Sequence, residues 1–209
     1  STETGEVGYI LFNDHIATSE AGLINAINQL KTKNIADLVL DLRYNGGGFL
    51  DIANELAFMI AGPQLAEGAI FEELKFNDKH PTFDPVTDRL LSPMLFHTSS
   101  RGFSVGAGQP LPFLNLSRVF VITGPGTCSA SESIINGLRG VDVEVIQIGS
   151  TTCGKPYGFY PFDNCGTTYF SIQFKGVNSK GFGDYTDGFS PANLPSTQGT
   201  EIPGCSIAD

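Results

Sequence analysis

Twice in this chain an apolar run of strand length ends in a glycine turn and gives way to residues spaced for a helix. The first run is Ala36 to Leu42, followed by Tyr44-Asn45-Gly46-Gly47-Gly48. After it come Ile52, Leu56 and Ile60, with Ala53 and Ala57 on the same face. The second is Val119 to Ile122, followed by Gly124-Pro125-Gly126 and the helical stretch Ser131–Arg139. A short, nearly unbroken apolar run fits a strand buried on both faces. Strand–helix alternation in turn requires crossovers between parallel strands. A weakly alternating strand from Gly8 to Phe12 precedes these units. It leads to a helix opening at Thr18-Ser19-Glu20 with Leu23, Ile27 and Leu30 at helical spacing, and a further apolar strand spans Val143 to Ile148. The expected class is α/β, with a mostly parallel sheet and flanking helices.

Residues 64–117 interrupt this order. Phe71 to Phe76 reads as a strand, but the Pro- and Gly-punctuated remainder has no firm period, so an insertion packed over the core is expected there. Tyr157–Phe162 and Thr167–Phe174 read as a hairpin around Asp163-Asn164-Cys165-Gly166. Beyond Val177 little pattern remains. A length of 209 residues, 41% of them hydrophobic and 16% charged, suits one core. The expectation is therefore a single core over 1–209. The net charge of −10, without a Lys/Arg cluster, argues against nucleic acid as a partner. No apolar run reaches the roughly 20 residues of a transmembrane helix.

The chemistry concentrates where strands end. Ser129-Ala130-Ser131-Glu132 matches a capping box, so Ser129 reads either as a helix cap or as a hydroxyl held at a helix N-terminus, where the dipole favours negative charge. Lys155, in Gly154-Lys155, follows the Val143–Ile148 strand. A lysine acting as a base must be neutral, and an apolar setting favours the neutral amine. Cys153, Pro156, Tyr157 and Phe159 supply such a setting, with no acid adjacent. The alternative is an ordinary solvated turn lysine. The three glycines after Asn45 allow a backbone N–H to face a ligand, or simply make a tight turn. A serine paired with a lysine is one of the activated-nucleophile arrangements.

Asp41-Leu42-Arg43-Tyr44-Asn45-Gly46-Gly47-Gly48, Ser129-Ala130-Ser131-Glu132 and Gly154-Lys155, in that order, resemble the C-terminal-processing, or tail-specific, serine proteases, relatives of the tricorn core. The resemblance runs from about Gly8 to about Pro191, and the Cys-Gly-Lys-Pro-Tyr-Gly-Phe stretch is similar to a bacterial branch. It implies a crotonase/Clp-protease-like core with an additional β-hairpin. It also implies a Ser129/Lys155 dyad, with Ser129 rather than Ser131 as nucleophile, and an oxyanion hole from the N–H groups of Gly47 and Ala130. The glycine run leaves the Gly47 register open by one. The implied activity is endopeptidase cleavage of extended, unfolded or C-terminal polypeptide segments without metal or organic cofactor. The implied location is exported, periplasmic or extracellular, with lipid anchoring through a removed N-terminus as one form. A PDZ domain, common in the family, does not fit within Ser1–Glu6.

Several positions depart from the family pattern. Phe159 stands where many members carry a lysine-orienting glutamine. Gly140 stands where some members carry an acid, and Asp142 lies two residues beyond. Within this resemblance Cys153–Cys165 and Cys128–Cys205 form one pairing of the cysteines. Cys128–Cys153 is the rival and would lock the two catalytic turns together. His15, His80 and His97 are scattered and make no metal motif. A Ser–His pair using His15, at the end of the first strand, stays open, and Cys128 as nucleophile lacks a recognisable partner. A non-catalytic ligand- or peptide-binding protein on the same fold is the alternative function. Crotonase-type acyl-CoA chemistry would use carboxylates instead, and the Gly124-Pro125-Gly126 turn lacks the remaining features of a dinucleotide loop. Oligomeric state is not encoded in any motif here.

Overall fold

The computed structural model describes residues 5–207. Five parallel strands form the central sheet: β1 (Val7–Leu11), β2 (Asp37–Asp41), β5 (Arg118–Thr123), β6 (Glu144–Gly149) and β13 (Gly204–Cys205), ordered β1-β2-β5-β6-β13. Leu38, Leu40, Val119, Val121 and Val145 are buried, as strands covered on both faces require. Helix α1 (Ser19–Thr32) buries Leu23 and Ile27, whereas α2 (Leu50–Ala61) is buried at every residue from Ile52 to Ala61. A helix buried all round lies between layers, and α2 lies between the sheet and the segment that follows it. Gly62, at φ 74°, ends α2, and Pro63 opens the one-turn α3 (Pro63–Ala66). The mostly parallel α/β core with flanking helices is as the sequence predicts.

Residues 64–117 contribute β3 (Ile70–Lys75) and β4 (Met94–Leu95) to a second, antiparallel sheet ordered β4-β3-β10-β7. Its other members are β7 (Tyr157–Gly158) and β10 (Phe174–Val177). The predicted hairpin is present but interrupted. Tyr157 and Gly158 pair with Lys175 and Phe174, and farther out β8 (Phe162–Asn164) pairs with β9 (Thr167–Tyr169). Between them Pro161 has no N–H to give a ladder, and Tyr160 N–H instead donates to the Gln173 side chain at 2.7 Å. The tail beyond Val177, which shows little pattern in sequence, forms β11 (Ser190–Pro191) and β12 (Glu201–Ile202) and adds β13 to the core. Helix α4 (Ala130–Gly140) packs on both α2 and β3, so its N-terminus sits where the two sheets meet.

Candidate active site

The first glycine turn is held by its polar neighbours. The buried Asp41, at the end of β2, accepts from Arg43 Nε at 3.0 Å and Nη2 at 2.7 Å, and from the Tyr9 hydroxyl at 2.7 Å. The Arg43 guanidinium holds the Asp41 carboxyl below its ordinary range. Asn45, fully buried, then ties three segments together. Its Nδ2 donates to Phe12 O at 2.9 Å, its Oδ1 accepts from Gly47 N–H at 3.0 Å and lies 2.9 Å from His15 Nδ1, and its carbonyl accepts from Cys128 N–H and from Ser131 Oγ. The Thr127 hydroxyl, donating to Leu42 O at 2.8 Å, fixes the second turn against the first.

Ser129 takes the N-cap of α4 at φ 56° and ψ −119°, a left-handed conformation that a non-glycine residue adopts at a cost of roughly 1–3 kcal/mol. The surrounding network holds it there. Ser129 N–H donates to Glu132 Oε2 at 2.9 Å, the reach-back half of the capping box. Glu132, fully buried, also accepts from Thr152 Oγ1 at 2.5 Å, Gly154 N–H at 2.8 Å and Lys155 N–H at 2.8 Å. One carboxylate therefore joins the serine turn to the lysine turn. The disulfide Cys128–Cys153, Cα–Cα 5.2 Å, joins the same two turns covalently. Of the open pairings this is the one formed, and Cys165 and Cys205 are exposed free thiols. Cys128 is thereby removed from candidacy as a nucleophile.

A cavity of about 840 Å³ opens at this junction. Ser129, Ala130, Gly46, Gly47, Gly48 and Lys155 all line it. Ser131 does not: it is buried behind the site with its hydroxyl on Asn45 O. Gly47, at φ 97°, lies so close to the serine turn that a Cβ there would fall 2.8 Å from Ser129 Cβ and 2.9 Å from Ala130 N. The Gly47 N–H is turned onto Asn45, however, and so does not face the cavity as an oxyanion donor. Gly47 O and Phe49 N–H bond to His15, which leaves the Gly48 N–H on the opposite edge of this extended segment. Among the described residues, neither Gly48 N–H nor Ala130 N–H has a hydrogen-bond partner.

Lys155 Nζ lies 4.6 Å from the centroid of the Phe159 ring. Among the described residues it forms no ion pair, so the glutamine position of the family is filled here by an aromatic face. Phe159 meets Phe170 edge to face at 5.4 Å, forming the outer wall. Asp142 is remote from the cavity, exposed and paired with Lys180.

Of three further residues at the site, the sequence raised only His15, as an open partner for the serine. His15 is 1% exposed, and burial drives its pKa down to about 4, so the imidazole is neutral. With Asn45 Oδ1 at Nδ1, the proton is assigned to Nδ1. Nε2 is then a buried acceptor without a partner among the described residues, on a residue that lines the cavity. Asn45 stood inside the glycine motif and read only as part of a turn. Glu72, on β3, lines the cavity from the other sheet. Its strand also carries Glu73 and Lys75, so nothing in the run itself distinguishes Glu72.

The family model of peptidase family S41 matches residues 6–160. The chain belongs to peptidase family S41. A candidate S41 protease from Bacteroides fragilis NCTC 9343 has the same fold, with TM-score 0.73 and 26% identity over 95% of this chain and 47% of its own length. The photosystem II D1 C-terminal processing protease matches with TM-score 0.62 and 20% identity over 88% of this chain and 41% of its own. A lipoprotein from Streptococcus agalactiae matches with TM-score 0.59 and 11% identity over 97% of this chain and 64% of its own. This S41 chain thus spans about half the length of the first two. No curated protein matches it. Among the described residues no helix is long and apolar enough to cross a membrane.

Proposed function

We propose that this S41 chain is the catalytic core of an exported serine endopeptidase that cleaves extended or unfolded polypeptides. Residues 64–117 act as an insertion that shapes its groove. One observation carries the reading: a single cavity is lined by the strained Ser129, the α4 N-terminus, the glycine segment and an unpaired lysine. Lys155 takes the proton from Ser129 Oγ, which attacks the peptide carbonyl. The oxyanion forms at the helix N-terminus and accepts from Ala130 N–H. Gly48 N–H replaces Gly47 as the second donor, because Gly47 N–H is committed to Asn45. The protonated Lys155 then gives that proton to the leaving amine as the C–N bond breaks, and water hydrolyses the resulting acyl-enzyme with neutral Lys155 again as base. The substrate backbone adds alongside β7, the edge strand of the antiparallel sheet, whose two residues line the cavity.

A second reading is favoured by one atom. The unpartnered Nε2 of neutral His15 is a base already in its acceptor form, and His15 shares the cavity with Ser129. Casein hydrolysis by the parent, Ser129→Ala, Lys155→Ala and His15→Gln separates the two. The dyad predicts a loss of about 10⁴-fold in both the serine and lysine variants, with the histidine variant far less affected. The reverse ranking of Lys155→Ala and His15→Gln assigns the base to His15. Survival of activity in Ser129→Ala removes both readings. A parent without activity favours a non-catalytic peptide-binding protein on the same fold.

A further inference from the structure

Pro156, Tyr157, Phe159, Phe170 and Phe174 give the cavity a largely apolar, aromatic surface, and Glu72, Ser133 and the Lys155 amine, which lies over the Phe159 ring, are polar groups that share it. Glu72 belongs to this surface yet is only 6% exposed. Its burial is arranged by the backbone. The β3–β4 register shifts between Ile70 and Glu72, and Phe71 and Glu72, adjacent in sequence, are both buried. A bulge of this kind re-aims a side chain that regular alternation would send to the other face. Gly176, on the neighbouring β10, makes room for it, since a Cβ there would fall 2.1 Å from Glu72 Oε1. Ser133, one turn along α4 from Ser129 and also lining the cavity, is the polar side chain that favours the Glu72 carboxylate. Among the described residues no cation pairs with it.

A buried carboxylate without a counter-charge is costly. Desolvation raises the Glu72 carboxyl to about 7, with Ser133 opposing. A ligand that brings a positive group to this point supplies what the protein lacks. The aromatic and proline surfaces leading inward suit an aliphatic stem and a ring-stacked cation. The net charge of −10 draws cationic polypeptides toward the molecule.

We propose that Glu72 determines specificity and that the cavity takes a lysine or arginine side chain next to the bond cleaved. This rests on the endopeptidase reading of the same cavity. The test uses two pairs of fluorogenic peptides, differing only at the residue before the scissile bond: lysine against norleucine, and arginine against citrulline. Each pair keeps the stem and removes the charge. The parent is expected to show a kcat/KM preference of about 10-fold or more for the charged member, falling to about 1–2-fold in Glu72→Gln. A parent that cleaves norleucine or citrulline peptides as well as the charged ones overturns the inference and leaves the peptidase reading standing. Fluorescence anisotropy of the same peptides on Ser129→Ala separates binding from chemistry. If the parent cleaves nothing, yet the charged peptides bind about 10-fold more tightly to Ser129→Ala and lose that preference in Ser129→Ala/Glu72→Gln, Glu72 still selects a cationic side chain, while its place beside a cleaved bond falls with the peptidase reading. Absence of both cleavage and charge-dependent binding removes both.

Discussion

Two buried carboxylates approach the cavity, Glu132 from helix α4 and Glu72 from the antiparallel sheet, and they are satisfied in opposite ways. Glu132, on the parallel-sheet side, accepts from Ser129, Thr152, Gly154 and Lys155. Glu72, on the antiparallel side, has Ser133 beside it and, among the described residues, no cation paired with it. The first arrangement over-determines a geometry: the carboxylate's lone pairs are used to hold two turns in register, one of them in a strained conformation. The second leaves capacity unspent at a point open to a ligand. Position is fixed on one side of the cavity and selectivity is left available on the other.

The contrast is most easily broken at Glu132. Glutamine there keeps the shape but turns an amide N–H₂ toward N–H groups that need an acceptor. Glu132→Gln is expected to lose about 3 kcal/mol of stability in urea unfolding, and at least about 100-fold in casein hydrolysis as the two turns drift apart. Near-parent stability and activity would show that the network is not what positions the serine. Removing the covalent link should cost less function. Cys128 and Cys153 are 25 residues apart, and closing such a loop is worth roughly 3 kcal/mol. The double variant Cys128→Ala/Cys153→Ala should therefore unfold earlier by about that amount. It should also retain more activity than Glu132→Gln, because the carboxylate still clamps both turns. Equal loss of activity in the two would transfer the positioning role to the disulfide.

A third buried acid extends the comparison to the place where α1 and α2 meet residues 97–110. Glu20 accepts from the N–H groups of Arg101, Gly102, Ser104 and Val105, and its carboxyl is held below the ordinary range. Its neighbour Glu55 is raised to about 8, first by burial and then by the nearby Glu20 charge, and Glu55 Oε2 has no partner among the described residues. The sign follows from proton counting. The native state keeps a Glu55 proton that the unfolded chain releases near 4.5. Glu55 thus contributes stability that is fully present below about 4.5 and is lost as pH rises through about 8. Glu55→Gln, which mimics the protonated acid, should flatten this fall. The stability difference between variant and parent should grow in the variant's favour from pH 5 toward pH 8.5. A pH-independent difference would place Glu55 ionised throughout.

The parts of the site that the sequence exposes are those whose chemistry is local. Ser129, Lys155 and the glycine turn each follow a strand whose apolar run is visible, so their convergence at one sheet end follows from strand order. What stayed hidden depends on contacts between distant segments. Glu20 read as the start of a helix, because nothing near it shows that the N–H groups of residues 101–105 close around its carboxylate. Gly47 read as an oxyanion donor until Asn45, two residues back, was seen to take its N–H. Glu72 had no local signal of its role, since the bulge that turns it inward depends on pairing with β4. The cysteines left several pairings open, and what selects among them is the closeness of two turns, a tertiary fact.

Asp142 sharpens the point from the other end of the scale. By spacing it lies near the place where some S41 relatives carry an acid after the serine. Yet α4, about 15 Å long at 1.5 Å per residue, lies between it and Ser129. It sits beyond the helix C-terminus, 80% exposed, facing Lys180, which is 52% exposed. Such a pair is screened by water and loses side-chain entropy on forming. Asp142→Ala should shift stability by no more than about 0.5 kcal/mol and leave casein hydrolysis at the parent level. A loss of activity comparable to that of Glu132→Gln would mean that charge at the far end of α4 reaches the serine. The division between a fixed side and a selective side of the cavity would then have to include the helix as a third element.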